Sequence, residues 1–270
     1  MTIRQMQRAD LDIVLDWARQ EGWNPGIEDA SVFFSTDPAG FFVQEIDDQL
    51  ISGISVVNLS PDVAFLGLYI TKPEFRGKGF GIALWEAALS HAGDRSVGLE
   101  GVMDKVENYA SSGFEPAGRT VRFCGALPQQ EAAATHSAVE LDDLIAADGR
   151  YNGFIRTRFA SVWFTDTDTR HTVAVDAQNF ATARQCHDGV KIGPLYAHSQ
   201  GALEGLLYAI DRKFPGQSVT IDIPDVSDAL AEFMSGLGLD PAFETVRMFN
   251  KRPPVPDYPK YAALATLELG

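Results

Sequence analysis

Arg76-Gly77-Lys78-Gly79-Phe80-Gly81 is the stretch on which the reading of this chain turns. Upstream, Val63 to Ile70 is nearly all apolar, as a central strand is, and Pro73 closes it. Downstream, Ile82 to Ala92 reads as an apolar helix with Trp85 and Leu89 on one face. A glycine turn in that position has a physical meaning. The amides that open a helix are unpaired and carry partial positive charge. Glycines let a phosphate approach the backbone closely, and Arg76 and Lys78 add full charges. The pattern predicts a diphosphate cradle. It is neither a P-loop, which needs G-x-x-x-x-G-K-[ST], nor the dinucleotide fingerprint, which needs glycine where Ile82 stands.

Working outward, Asp104 to Ser112 reads as a helix ended by Gly113 in a left-handed cap, within Tyr109-Ala-Ser-Ser-Gly113-Phe114. Ser96 to Glu100 is the strand before it and Arg119 to Cys124 the strand after it. Toward the N-terminus, Asp10 is expected to cap a helix over Leu11 to Gln20, and Glu21-Gly22-Trp23-Asn24-Pro25-Gly26 forms a turn. Phe41 to Glu45 and Leu50 to Leu59 are two further strands.

Two motifs at this separation, on these elements, resemble the GNAT N-acetyltransferase superfamily. Arg76, Gly79 and Gly81 match its [RQ]-x-x-G-x-[GA] signature, and Tyr109, Gly113 and Phe114 match a Y-x-x-x-G-F about 30 residues later. The chain is similar to a two-domain subgroup that carries E-G-W-N-P-G after the first helix and L-[DE]-G-V before the tyrosine helix, here Leu99 to Val102. The resemblance implies an acetyl-CoA-dependent transferase that needs no metal. The strand ending Leu68-Tyr69-Ile70 would pair with pantetheine and offer an amide to the thioester carbonyl. Arg76, Gly77, Lys78, Gly79, Phe80 and Gly81 would hold the pyrophosphate, and Tyr109 would protonate the departing thiolate. One departure is Val102, which stands where many members place an asparagine seven residues before the tyrosine.

The general base is open between Glu21, Asp29, Glu45 and Glu100, or a water chain, with Glu100 favoured by its strand end near Tyr109. Trp23 and Asn24 are expected at the acceptor site, the indole as a face for a cation and the amide as a two-way hydrogen-bonding group. Cys186-His187 has no partner motif and reads as structural, and Lys191 as a solvated strand end.

An internal repeat sets the domain organisation. Gly113 to Phe123 aligns without a gap with Gly238 to Met248, and Ser96-Val-Gly-Leu-Glu100 resembles Ser218-Val-Thr-Ile-Asp222. The expected fold class is α/β (α+β): two tandem GNAT-like domains, each a mixed, mostly antiparallel sheet flanked by helices. The catalytic domain is placed at 1–127 and a degenerate copy at 137–270, with a linker from Leu127 to His136. The copy reads His198-Ser199-Gln200-Gly201-Ala202 at the place of the basic loop and Met234 opposite Tyr109, so it lacks both cradle and acid.

Composition limits the partners. With 22 Lys+Arg against 37 Asp+Glu, a net charge of −15 argues against nucleic acid and anionic membrane surfaces. It suits a small-molecule amine drawn in as a cation. Two cysteines are too few for a disulfide scaffold, and with no apolar leader at Met1 to Asp12 a cytoplasmic setting is expected. A homodimer is compatible with this reading. The rival from another class is an acyl-CoA sensor without turnover, which would need only Arg76 to Gly81.

Overall fold

The computed structural model describes residues 1–127 and 137–270; the expected linker, apart from Leu127, lies outside them. Strands β1 (Thr2–Gln5), β2 (Phe41–Ile46), β3 (Gln49–Asn58), β4 (Val63–Thr71), β5 (Ser96–Val102) and β6 (Glu115–Ala126) belong to the first half of the chain. Its helices are α1 (Arg8–Gln20), α2 (Asp29–Thr36), α3 (Phe80–Ala92) and α4 (Val106–Ser111). The second half repeats the plan after two helices, α5 (Leu141–Asn152) and α6 (Thr157–Trp163). It continues with β7 (Arg170–Asp176), β8 (Asn179–Gln185), β9 (Val190–Ala197), α7 (Gln200–Lys213), β10 (Ser218–Pro224), α8 (Asp228–Gly236), β11 (Leu239–Phe249) and the short β12 (Tyr261–Ala263).

All twelve strands form one sheet, in the order β1-β2-β3-β4-β5-β11-β6-β10-β9-β8-β7, with β12 on β9. The halves have therefore exchanged their last long strands. β11 pairs with β5 of the first half, and β6 pairs with β10 of the second. The exchanged strands run antiparallel to each other, with Thr120 opposite Thr245, Val121 opposite Glu244 and Arg119 opposite Val246. Those threonines are equivalent positions of the repeat, so a local two-fold axis passes between them. The repeat also supplies matched ion pairs. Arg122 on β6 reaches Asp222 on β10 at 2.7 Å, and Arg247 on β11 reaches Glu100 on β5 at 2.7 Å.

Amphipathic helices cover the sheet because their apolar residues recur at helical spacing. Leu11, Val14, Leu15 and Ala18 of α1 are buried in a core shared with α2, α5 and α6. Helix α3 covers β2 to β5 through Leu84, Trp85 and Ala88, and α7 covers β7 to β9 through Leu203, Leu206, Leu207 and Ile210. Helix α1 starts at Arg8, two residues before the expected cap. Asp10 sits inside the first turn, where its carboxylate accepts from the Gln7 amide at 2.7 Å. Among the described residues no helix is long and apolar enough to cross a membrane, and no group of three or more His, Cys, Asp or Glu could hold a metal ion.

Segment 261–270 is the least expected part of the fold. It is buried along nearly its whole length although it carries only three residues of strand. β12 pairs with β9 beside β10, Leu264 donates its amide to the Asp222 carbonyl, and the chain then crosses to the first half against Gly67.

Candidate active site

Parallel strands β4 and β5 pair only from Val63–Ser96 to Leu66–Leu99, although both continue further. A bulge in β4 where it meets β3, with Leu68 at φ 49°, bends the strand away at that point. Past Leu66 the edge of β4 facing β5 carries no strand partner among the described residues, and a cleft of about 690 Å³ opens there. Leu68, Tyr69 and Ile70 line one wall, Leu99, Glu100 and Val102 the other, and the loop from Arg76 to Gly81 rims the mouth. An unpaired strand edge offers backbone amides and carbonyls to an extended chain, and a helix-opening glycine loop offers unpaired amides to an anion.

The loop is built for close approach. Gly77 and Gly79 have φ of 72° and 80°, and Gly79 opens α3 without a side-chain cap, so the first-turn amides have no intrahelical partner. A Cβ on Gly81 would fall 2.1 Å from the Tyr69 hydroxyl, so glycine there lets β4 and α3 touch. Arg76 donates to the Thr71 carbonyl at 2.7 Å and pairs with Glu21 of the Trp23 turn. That pair is half-exposed and worth only about 0–1 kcal/mol, so an arriving phosphate can take the guanidinium from it. Lys78 does not line the cleft; its Nζ donates to the Glu74 carbonyl at 2.7 Å.

Tyr109 stands inside the cleft. Its ring stacks on Trp85 with centroids 5.8 Å apart, and Trp85 in turn meets Tyr69 and Phe114. Burial, reinforced by the fields of Tyr69 and Asp104, pushes the Tyr109 phenol up to about 12. It therefore keeps its proton throughout the neutral range. Among the described residues its hydroxyl has no hydrogen-bond partner, which leaves the O–H available to a group in the cleft.

Besides Lys78, further sequence expectations need correction. Asn24 does not face the cleft. Its side-chain nitrogen donates to the Asp188 carbonyl at 2.7 Å and its oxygen accepts the Asp188 amide at 3.1 Å, so the side chain clasps the second half. Trp23 and Gly26 of the same turn also meet the second half, through Lys191 and Cys186. Ile27 donates to the Gln185 carbonyl at 3.0 Å, and buried Asp29 pairs with Arg184 at 2.9 Å. Trp23 does line the cleft. Glu100 lines it too, but Thr245 at 2.6 Å, Arg247 at 2.7 Å and Thr120 at 3.2 Å occupy both of its oxygens. Three donors already engage this carboxylate, which disfavours Glu100 as the base and gives it the work of locking β5 to the exchanged strands.

Lys191 is likewise no solvated strand end. It is buried, donates to the Trp23 carbonyl at 2.8 Å, and desolvation lowers its ammonium pKa with help from Arg122. Cys186 is buried, and its thiol is pushed up by desolvation, as suits a structural residue. The sequence reading missed the cleft wall made by Arg122, Phe243, Thr245, Leu267 and Glu268. Its only sequence signal was the identity of Arg122 and Arg247 in the repeat.

Comparison with known proteins identifies the family. Residues 8–114 match the acetyltransferase (GNAT) family model, and residues 144–261 match a second acetyltransferase (GNAT) domain model. A holothin acyltransferase of a Pseudoalteromonas strain is 32% identical over 267 residues, covering 96% of this chain and 90% of that protein. A solved structure from Pyrococcus horikoshii described as an acetyltransferase superposes with a TM-score of 0.83 over 100% of this chain and 95% of its own, at 17% identity. A GCN5-related N-acetyltransferase from Sphaerobacter thermophilus gives 0.66 over 94% and 97%, at 13% identity. At those identities the two structures speak for the fold alone. The chain thus belongs to the GNAT acetyltransferase family, carries two such domains in tandem, and is an acyltransferase.

Proposed function

We propose that the chain transfers an acetyl or short acyl group from CoA to the amine of a small molecule by direct attack. Residues 1–127 carry the chemistry, and 137–270 form a degenerate copy that completes the acceptor side of the cleft. The observation that carries this reading is the opening between β4 and β5, with a protonated tyrosine inside it and an uncapped glycine loop at its mouth.

In this reading the pantetheine amides continue the β4 ladder along Leu68, Tyr69 and Ile70. A main-chain amide at Tyr69 or Ile70 faces the thioester carbonyl and stabilises the negative charge that develops on its oxygen. Arg76 and the amides of Gly77 to Gly81 hold the pyrophosphate. Tyr109 donates its proton to the departing thiolate, and because the amine attacks directly no enzyme nucleophile is used. Trp23 forms part of the acceptor wall. Two free cysteines fit a reducing, cytoplasmic setting.

The relative's name directs the first test. Holothin, aniline and phenethylamine, each supplied with acetyl-CoA, are to be assayed by thiol release. Turnover of at least one is expected. Calorimetric binding of acetyl-CoA with no turnover of any amine would return the sensor reading.

A further inference from the structure

Four carboxylates line the cleft, and three are already committed. Glu21 pairs with Arg76, Glu100 with Arg247, and Asp104 with Lys105 at 3.0 Å. The fourth is Glu268, which comes from the buried segment 261–270. Among the described residues it forms no ion pair. Its Oε2 accepts from the Thr266 hydroxyl, and its Oε1 accepts nothing.

Glu268 is also well placed along the cleft. A Cβ on Gly67 would fall 2.3 Å from the Glu268 carbonyl oxygen, so residue 268 lies directly on β4 beside the Leu68 bulge, where the strand leaves β5. The amides of Tyr69 and Ile70, which face the reacting carbonyl in the function proposed above, follow within three residues along β4. Arg122 on β6, Arg184 on β8 and Lys191 on β9 feel the field of Glu268, and Asp222 on β10 pairs with the first of them. None of those cations touches the carboxylate: Arg122 is held by Asp222, Arg184 by Asp29, and Lys191 by the Trp23 carbonyl, so Oε1 is left open to an ammonium ion.

We propose that Glu268 is the proton acceptor for the attacking amine, which places the catalytic base of the first half on a segment delivered by the second. The inference rests on the transfer reading above. The ammonium gives one proton to Oε1 of Glu268, and the freed lone pair forms the C–N bond. The C–S bond breaks as the Tyr109 proton passes to sulfur. The proton then shed by the new amide nitrogen returns to the Tyr109 oxygen, and Glu268 releases its own to solvent, so atoms and charge balance.

The test uses the full chain, acetyl-CoA and the three amines named above. Glu268→Gln is expected to lower kcat/KM for the amine by about 10²-fold or more, to remove the low-pH limb of the profile, and to leave acetyl-CoA affinity within about twofold. Glu268→Ala should regain part of its rate with added formate, which a merely structural residue would not show. Glu268→Asp keeps the charge balance with Arg122, Arg184 and Lys191, so it serves if the other variants fail to fold. It should retain the low-pH limb at about tenfold lower kcat. Wild-type turnover with an unchanged rate or an unchanged limb in Glu268→Gln, or absence of formate rescue, overturns the assignment and leaves the transfer reading standing. Acetyl-CoA binding with no turnover by the wild-type chain overturns both.

Discussion

The same slot occurs twice in this molecule, open in one half and filled in the other. In the first half β4 and β5 part after Leu66–Leu99 and the cleft follows. In the second, β9 and β10 pair over Val190–Val219 to Ile192–Ile221, and β12 then takes the vacated edge of β9, with Ala263 opposite Leu195. A Cβ on Gly193 would fall 1.9 Å from the Leu264 carbonyl oxygen, so the filling segment is packed tightly against the strand. The helix ends differ in the same direction. The first turn of α3 opens at uncapped Gly79, whereas Ser199 caps α7 by accepting the Ala202 amide at 3.2 Å. Tyr109 looks into the cleft, whereas Met234, its partner in the repeat, is buried in the core. A binding slot is thus lost by satisfying its own unpaired groups: a strand edge by a strand, an amide by a serine, a polar tip by a thioether.

The largest effect should come from the group that has no working counterpart. Tyr109→Phe is expected to lower kcat by about 10²–10⁴-fold with acetyl-CoA affinity nearly unchanged, read by thiol release and calorimetry. Because burial raises the phenol, the acid form is lost only as pH climbs toward about 12, so ionisation of Tyr109 should cause no fall in kcat between pH 7 and about 10. Equal turnover in the phenylalanine variant would erase the chemical contrast between the halves.

Next come the matched ion pairs, where the halves should behave alike. Asp222→Asn and Glu100→Gln each leave a largely buried arginine without its partner, and each should cost up to about 3–5 kcal/mol in chemical denaturation. A fall in activity of Glu100→Gln at unchanged stability would restore it as the base. Burial raises the Asp222 carboxyl, but Arg122, Lys191 and Arg184 outweigh this and hold it below its ordinary 3.8. Its contribution to stability is therefore present above that value and is lost as pH falls through the lowered one.

The filled slot predicts one acetyl-CoA per chain by calorimetry. Ser199→Ala should cost about 1 kcal/mol of stability and leave that stoichiometry at one; a second binding event would show that the slot is only latched. The smallest effect belongs to Asn24→Ala, with about 1 kcal/mol or less lost from an exposed clasp and no change in amine KM.

The sequence reading recovered the loop, the tyrosine helix and the strands beside them because each carries a local rule: glycines at a turn, apolar periodicity, a glycine cap. The strand exchange left no such mark, since β6 and β11 alternate identically whether they pair within a half or across halves. β8 carries no alternation that would mark it as a strand, because both of its faces are buried and one of them mixes Phe180, Thr182 and Arg184. Segment 261–270 was unread for a related reason. It is specified by what it fills rather than by any period of its own. Asn24 misled because an asparagine beside a tryptophan in a turn looks the same whether it serves a ligand or Asp188 across the interface.

The crossed strands also constrain synthesis. Both neighbours of β6 come from residues 218–249, roughly a hundred positions further along the chain. A nascent polypeptide that has just emerged through Ala126 carries a strand with both edges bare, and it must keep that strand from strangers until β10 and β11 arrive. Translation rate and chaperone occupancy over that interval should therefore govern the yield of native protein more strongly than they do for a chain whose first half closes its own sheet.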